Sequence, residues 1–331
     1  MVPFNYLIAK DAIEATSLFN NHRNSKFIAG GTNLIDLMKE NVSRPDTLID
    51  INKIDSINTI TELPGGGLRL GALVKNADTA YDHRVQKNYP LLCQAILAGA
   101  SAQLRNMASN GGNLLQRTRC YYFYDTATPC NKREPGTGCS ALGGLNRIHA
   151  ILGASESCIA VFPSDMCVAL AALGALVNTH GVHGDRIIAF ADFHRLPGDT
   201  PDLDNNLHPG ELITSIDLPA ESFDVHYSYL KLRDRTSYAF ALVSVATAFK
   251  IEDGLIIDAR LALGGMAHKP WRNLEAEDFM KGKEPNAKNF SDTADIILHE
   301  ARGHEHNAFK IKLAKRAIIR NGLIAVNLQT A

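Results

Sequence analysis

Two glycine turns and a run of cysteines are the residues in this 331-residue chain whose types and spacing could do chemistry. The turns are Ala29-Gly30-Gly31-Thr32-Asn33 and Ser109-Asn110-Gly111-Gly112-Asn113. A Gly-Gly turn lets bare backbone amides approach a ligand, because no Cβ holds it off. Successive amides aimed at one point form an anion nest suited to a diphosphate. In the first turn, the amides from Ala29 to Asn33 and the Thr32 hydroxyl can all donate. In the second, Ser109, Gly112 and Asn113 offer hydroxyl and amide donors. A tight strand-to-helix connection without a ligand has the same sequence, so the motif alone leaves both readings open. Paired phosphate cradles beside a thiol-rich loop imply a redox protein holding a dinucleotide and a metal centre.

Cys120, Cys130, Cys139 and Cys158 lie within 39 positions, whereas Cys93 and Cys167 fall in apolar helical patterns and read as buried small hydrophobes. Six cysteines are too sparse for a disulfide scaffold. From Arg117 to His149 periodicity disappears among Pro129, Pro135, Gly136, Gly138, Gly143 and Gly144. A loop of that length inside a compact unit must be functional or tied down, and thiolates around a metal would tie it.

The elements that must position these groups follow from periodicity. A helix over 11–20, a strand at Lys26–Ala29, a helix over 33–40 and a strand at Thr47–Ile51 imply a parallel pair with a right-handed crossover. Strands are expected near 67–74, 176–179, 186–190 and 211–218, with apolar helices over 90–100 and 166–176. Ser164 is placed to cap the second of these helices. Beyond about residue 222, three strands (227–233, 240–251, 255–263) carry an Asp253-Gly254 hairpin signal, followed by helices over 291–302 and 309–319. The expected class is α+β with an α/β-type N-terminal part. Residues 1–222 form one domain, with subdomains of about 1–55 and 56–222; residues 223–331 form a second, with a three-stranded antiparallel sheet and helices.

With 34 basic and 35 acidic residues, neither nucleic acid nor an acidic membrane is an expected partner. No apolar run approaches the roughly 20 residues that span a bilayer. The first ten residues lack a basic stretch followed by an apolar one. The default compartment is therefore cytoplasmic, and a periplasmic one requires co-export with a signal-bearing partner.

Phe27-Ile-Ala-Gly-Gly-Thr-Asn-Leu34, Ser109-Asn-Gly-Gly-Asn113, Pro163-Ser-Asp165 and Lys231-x-Arg233 together resemble, in order, the FAD-binding medium subunit of the xanthine dehydrogenase (molybdenum hydroxylase) family. The resemblance spans nearly the whole chain. The cysteine segment, from Asn113-Leu-Leu-Gln-Arg-Thr-Arg-Cys120 to Pro-Gly-Thr-Gly-Cys139, is most similar to the flavin subunits of bacterial periplasmic aldehyde oxidoreductases. It implies a two-subdomain FAD-binding domain of the PCMH type and a heterotrimer, or a dimer of it. A large molybdenum-cofactor subunit would oxidise an aldehyde, and a small subunit with two [2Fe–2S] clusters would pass electrons to FAD here and on to an external acceptor. It further implies that Phe27 to Leu34, Ala100, Ser101, Ser109, Gly111, Gly112 and Asn113 contact FAD. Asp165 would accept from its ribose or adenine edge, Ile213 would pack on the adenine, and Lys231 would bond the isoalloxazine carbonyl region. Cys120, Cys130, Cys139 and Cys158 would hold a [4Fe–4S] cluster within a loop over 117–160.

Each assignment has a plainer counterpart. Asp165 could simply complement a helix dipole, Ile213 could be core, and Lys231 with Tyr227, Tyr229 and Arg233 could be a solvated strand face. The thiol spacing, with nine, eight and eighteen residues between, matches neither common ferredoxin runs nor tight zinc knuckles. A redox-active cluster is preferred over a structural zinc, with Arg117, Arg119, Lys132 and Arg133 offsetting its negative charge. No acid–base dyad or nucleophile elbow is present, so no catalytic residue is expected. The alternatives are a self-contained FAD oxidoreductase, a subunit of a xanthine or other hydroxylase, and a zinc-bound assembly module.

Overall fold

The computed structural model describes residues 1–221 and 223–327, and its strands fall into three sheets that follow chain order. β1 (Asn5–Ile8), β2 (Ser25–Ile28) and β3 (Thr47–Asp50) make a parallel sheet in the order β1-β3-β2. The expected parallel pair is β2 and β3, with Ile28 opposite Asp50, joined through the helix Leu34–Lys39. β1 lies outside the expected elements, because four residues with exposed Tyr6 and Ile8 look like a tail. Asp11 caps the helix Ala12–Asn21 by accepting from the Glu14 amide at 2.7 Å.

β4 (Ile60–Glu62), β5 (Leu68–Gly71), β6 (Leu176–Gly181), β7 (Gly184–Ala189) and β8 (Leu212–Leu218) form an antiparallel sheet in the order β4-β5-β8-β6-β7. The helix Asp165–Leu173 starts at Ser164, which accepts from the Cys167 amide at 3.0 Å, and stops at left-handed Gly174. All nine of its residues are buried, as a helix apolar on every side requires. It packs between the helix Pro90–Ala98 and the third sheet.

That sheet contains β9 (His226–Leu232), β10 (Val243–Glu252), β11 (Leu255–Gly264) and β12 (Trp271–Arg272), in the order β12-β11-β10-β9. A fourth, two-residue strand thus joins the three expected, too short to carry any periodicity. Asp253 and Gly254 turn the β10–β11 hairpin with φ of 50° and 78°, the primed turn that matches strand twist. The long helix Phe309–Asn327 covers β9 and β10, and Asn321 donates to the carbonyls of Ser228 and Val245. The expected boundary at Ser222 and the last four residues, 328–331, lie outside the described residues. No described helix is long and apolar enough to cross a membrane.

Candidate functional site

The two glycine turns touch. A Cβ built on Gly30 would lie 1.9 Å from the Met107 carbonyl oxygen, so only glycine lets the first turn close against the loop leading into the second. Gly31 follows in the left-handed region at φ 70°. Among the described residues, the amides of Gly30, Gly31, Thr32 and Asn33 have no protein acceptor. The Asn33 side chain accepts from the Arg117 amide at 2.9 Å, while its Nδ2 is buried without a partner. This turn therefore presents donors that the protein itself does not satisfy.

The second turn differs from expectation. The amides of Asn110, Gly111, Gly112 and Asn113 donate to Val74 O, Ala72 O, Ser109 Oγ and Ser109 O. Gly111, Gly112 and Asn113 are therefore not free backbone donors. They belong to a short helix, Asn110–Leu114, that Ser109 caps. What the turn contributes is rigidity. Buried Asn110 bonds Asn76, Thr79 and the Gly71 carbonyl, and Asn113 links the Asn76 side chain at 2.7 Å to the Ser164 hydroxyl at 2.6 Å. Sequence reasoning missed Asn76 and Asn110, which carry no spacing signal.

Ser164 leads directly to Asp165. Its carboxylate accepts from Lys231 Nζ and from the Tyr229 hydroxyl, each at 2.7 Å. The pair is almost fully enclosed, with side chains 4% and 6% exposed. Asp165 is in the first turn of its helix, as its plain reading has it, whereas Lys231 is buried rather than solvated, since the β9 face packs onto the helix Pro90–Ala98 and its neighbours. Burial and the neighbouring Asp165 push the Tyr229 hydroxyl well above its ordinary pKa, so it remains a donor. Lys231 and Arg233 also donate to Ala98 O, both at 3.1 Å, beside Ala100. That alanine sits in the left-handed region at φ 51°, a strained conformation for a residue with a Cβ, and Ser101 caps the next turn. Ile213 is 3% exposed in the main core.

Removing one partner of this ion pair should be costly because the other charge stays buried. Lys231→Met is expected to lower unfolding stability by about 3–5 kcal/mol, and adding Asp165→Asn should recover most of that loss. Denaturant unfolding of both single variants and the double variant measures the coupling; additive losses would contradict a mutually dependent pair.

A cleft of about 230 Å³ opens between Ser164 and Asp165 on one side and Phe240, Leu242 and Gly265 on the other. Whole-ligand pockets run to about 300–1,000 Å³, so this one accommodates one end of an extended ligand.

The four expected thiols converge. Cys120, Cys130, Cys139 and Cys158 line one pocket, with Phe123, Pro129 and Lys132 among its other walls. Its enclosed space is only about 10 Å³, close to that of one water. The neighbouring Cys158 holds the Cys139 thiol down to about 6, and Cys139 together with burial raises that of Cys158. Burial pushes Cys120 up to about 12. Four tetrahedral zinc thiolates would stand about 3.8 Å apart around one point. Among the described residues, no three His, Cys, Asp or Glu side chains meet in a single-ion site. The donor set is all sulfur and spread round a wall, which suits a polynuclear centre.

Two features of this loop bear on its charge and its anchoring. Arg117 and Lys132 both pair with Asp204, at 2.6 and 2.5 Å, and Arg119 pairs with Asp36 at 2.9 Å. Burial opposes ionisation of Asp204, but Arg117 and Lys132 outweigh it and hold the carboxyl below the usual range. Asp204 thus offsets one of its two cations and Asp36 offsets Arg119, while Arg133 donates to the carbonyls of Tyr122, Phe123 and Thr128, so net positive charge remains and that of Lys132 acts on Cys158. The loop is also tied by hydrogen bonds: Asn131 bonds the Ser157 carbonyl and the amides of Gly136 and Gly138. His149, which no spacing marked, lies with Nε2 3.1 Å from Cys120 Sγ.

Comparison with known proteins gives a consistent picture. Residues 2–221 match the family model described as the FAD-binding domain in molybdopterin dehydrogenase, and residues 227–321 match the CO dehydrogenase flavoprotein C-terminal domain. The chain is 49% identical to the FAD-binding subunit of aldehyde oxidoreductase PaoB of Escherichia coli, covering 96% of both chains. It is 30% identical to the glyceraldehyde dehydrogenase medium chain of Sulfolobus acidocaldarius, over 89% of this chain and 86% of that one. Among solved structures, carbon monoxide dehydrogenase of Hydrogenophaga pseudoflava superposes with a TM-score of 0.77 at 23% identity, over the full length of both chains. At that identity the likeness concerns the fold.

Proposed function

The chain belongs to the FAD-binding medium subunits of the molybdenum hydroxylase family, and from that premise we propose that it is the electron-transfer subunit of an aldehyde-oxidising complex. In this reading a large molybdenum-cofactor subunit converts aldehyde and water to carboxylic acid, releasing two electrons and two protons. A small subunit with two [2Fe–2S] clusters delivers the electrons to this chain, and an external acceptor removes them. The assembly is a heterotrimer or a dimer of it.

The observation that carries the reading is the meeting of the two turns at Gly30, with unsatisfied amides and the buried Asn33 Nδ2 around the contact. Phe27 to Leu34 would hold the diphosphate, with the Ser109 hydroxyl as the second wall's donor and Asn113 and Ser164 bracing that wall. Asp165, which lines the cleft, would border the other end of FAD, together with Ala100, Ser101 and Lys231, the last bonded to Asp165 and to the Ala98 carbonyl. Bound FAD supplies a carrier that accepts electrons singly and delivers one or two. Lys231 and Arg233 are placed to steady negative charge there, and Asp165 fixes the ammonium of Lys231. Ile213 supports this wall from the core.

The four pocket thiols would carry a [4Fe–4S] cluster. Support comes from their convergence and from a lining in which sulfur supplies the ligand atoms and no carboxylate appears. The test is the visible spectrum and metal content of the complex purified without oxygen. Flavin absorbance at about 450 nm, with about eight iron per complex of which four belong to this chain, is expected. A colourless complex overturns the flavin reading. Stoichiometric zinc with only about four iron overturns the cluster.

A further inference from the structure

We propose that His149 is a positioning residue for the iron–sulfur centre, donating an Nε2–H hydrogen bond to the Cys120 sulfur and thereby raising the centre's reduction potential. This inference rests on the cluster reading above and adds a residue outside the four thiols. Three observations carry it. His149 is 1% exposed, and its Nε2 stands 3.1 Å from Cys120 Sγ. Its Nδ1 is buried with no partner. Its backbone is anchored from the C-terminal lobe: the carbonyl accepts from Lys310 Nζ at 2.8 Å and Asn307 Nδ2 at 3.2 Å, and Lys310 is itself fully buried.

These fix the tautomer. A neutral imidazole carries one N–H. Beside a thiolate, which only accepts, that hydrogen belongs on Nε2, leaving a bare lone pair at Nδ1. The opposite tautomer would set a lone pair against the sulfur's negative charge and strand an unpaired N–H. Hydrogen bonds to cluster sulfurs withdraw charge and favour the reduced, more negative state. The placement also matters. Tyr121 and Ile148 line the cleft beside Asp165, while their neighbours Cys120 and His149 belong to the thiol side. The His149–Cys120 contact therefore lies in the partition between the proposed flavin end and the proposed cluster.

The experiment compares His149→Leu and His149→Gln in the intact complex, purified without oxygen. Glutamine keeps an N–H near the position of Nε2; leucine keeps bulk alone. The readouts are iron content, the midpoint potential of the four-iron centre in an EPR-monitored titration, and exchangeable deuteron coupling in pulsed EPR after transfer to D₂O. The expected result is a lower midpoint and a lost deuteron coupling in His149→Leu, with both near wild type in His149→Gln. Full iron with unchanged midpoint and coupling in His149→Leu overturns the role of His149 and leaves the cluster reading intact. If His149→Leu fails to assemble the centre, restoration by glutamine supports the hydrogen bond, and failure of glutamine overturns it. A wild-type complex without the additional iron refutes the cluster reading itself.

Discussion

Gly30→Ala empties the flavin site. The added methyl group would stand 1.9 Å from the Met107 carbonyl oxygen and 2.7 Å from its carbon, both backbone atoms with no rotamer to yield. The two turns must therefore separate. Overpacking of this kind costs about 1–3 kcal/mol and occasionally more. Separation also breaks the geometry in which both walls reach one diphosphate, and at least a tenfold loss of FAD affinity, about 1.4 kcal/mol, is expected. The neighbouring glycine supplies the control. A Cβ on Gly31 meets only side-chain atoms, Ile35 at 3.0 Å and Ile28 at 3.6 Å, so Gly31→Ala suffers mainly from its left-handed φ, about 1–2 kcal/mol. Absorbance of bound flavin and the apparent affinity on FAD titration should rank wild type above Gly31→Ala above Gly30→Ala. Full flavin in Gly30→Ala would show that closure of the turns is unnecessary for binding.

Sequence could name the glycines but not that order, because the Met107 contact joins loops far apart in the chain. The same limit recurs across the molecule. Ser164 was readable as a cap because a cap is local, set by one residue and the amides three positions on. The thiols were readable as a group because so few residue types bind iron. Asp165 and Lys231 each had a plausible solitary role, a dipole carboxylate and a solvated cation, and only the packing of β9 on the buried helix made them partners. Asn110 and His149 were silent for a related reason: a buried polar residue is specified by what surrounds it, and its neighbours come from distant segments. The Ser109–Asn113 turn shows the reverse error. Its sequence suggested free amides, yet a serine three residues before a glycine amide is equally a capping signal, and the cap is what forms.

Cys130→Ser should remove the iron of this chain while leaving its fold largely standing. A serine hydroxyl is a poor substitute for one of four thiolate ligands, and a cluster missing one ligand is exposed to loss. If the cluster were what orders the loop, iron loss would melt residues 117–149. The hydrogen bonds argue otherwise. Arg133 holds the Tyr122, Phe123 and Thr128 carbonyls, and Asn131 stitches the Gly136–Gly138 turn to Ser157. Buried Lys132 anchors the same stretch to Asp204 and to the Pro201 carbonyl. None of these contacts involves a thiol. The iron-free variant should therefore resist limited proteolysis in this loop nearly as well as wild type, and its flavin content should be unchanged. Arg133→Met is the opposing case: it deletes three carbonyl partners while sparing every thiol, so cleavage within 117–149 should accelerate several-fold, with iron lost as a consequence. Rapid cleavage of the Cys130→Ser loop would return the ordering role to the metal centre. Resistant, iron-free protein would mean that the chain builds the pocket first and the centre occupies a wall already in place.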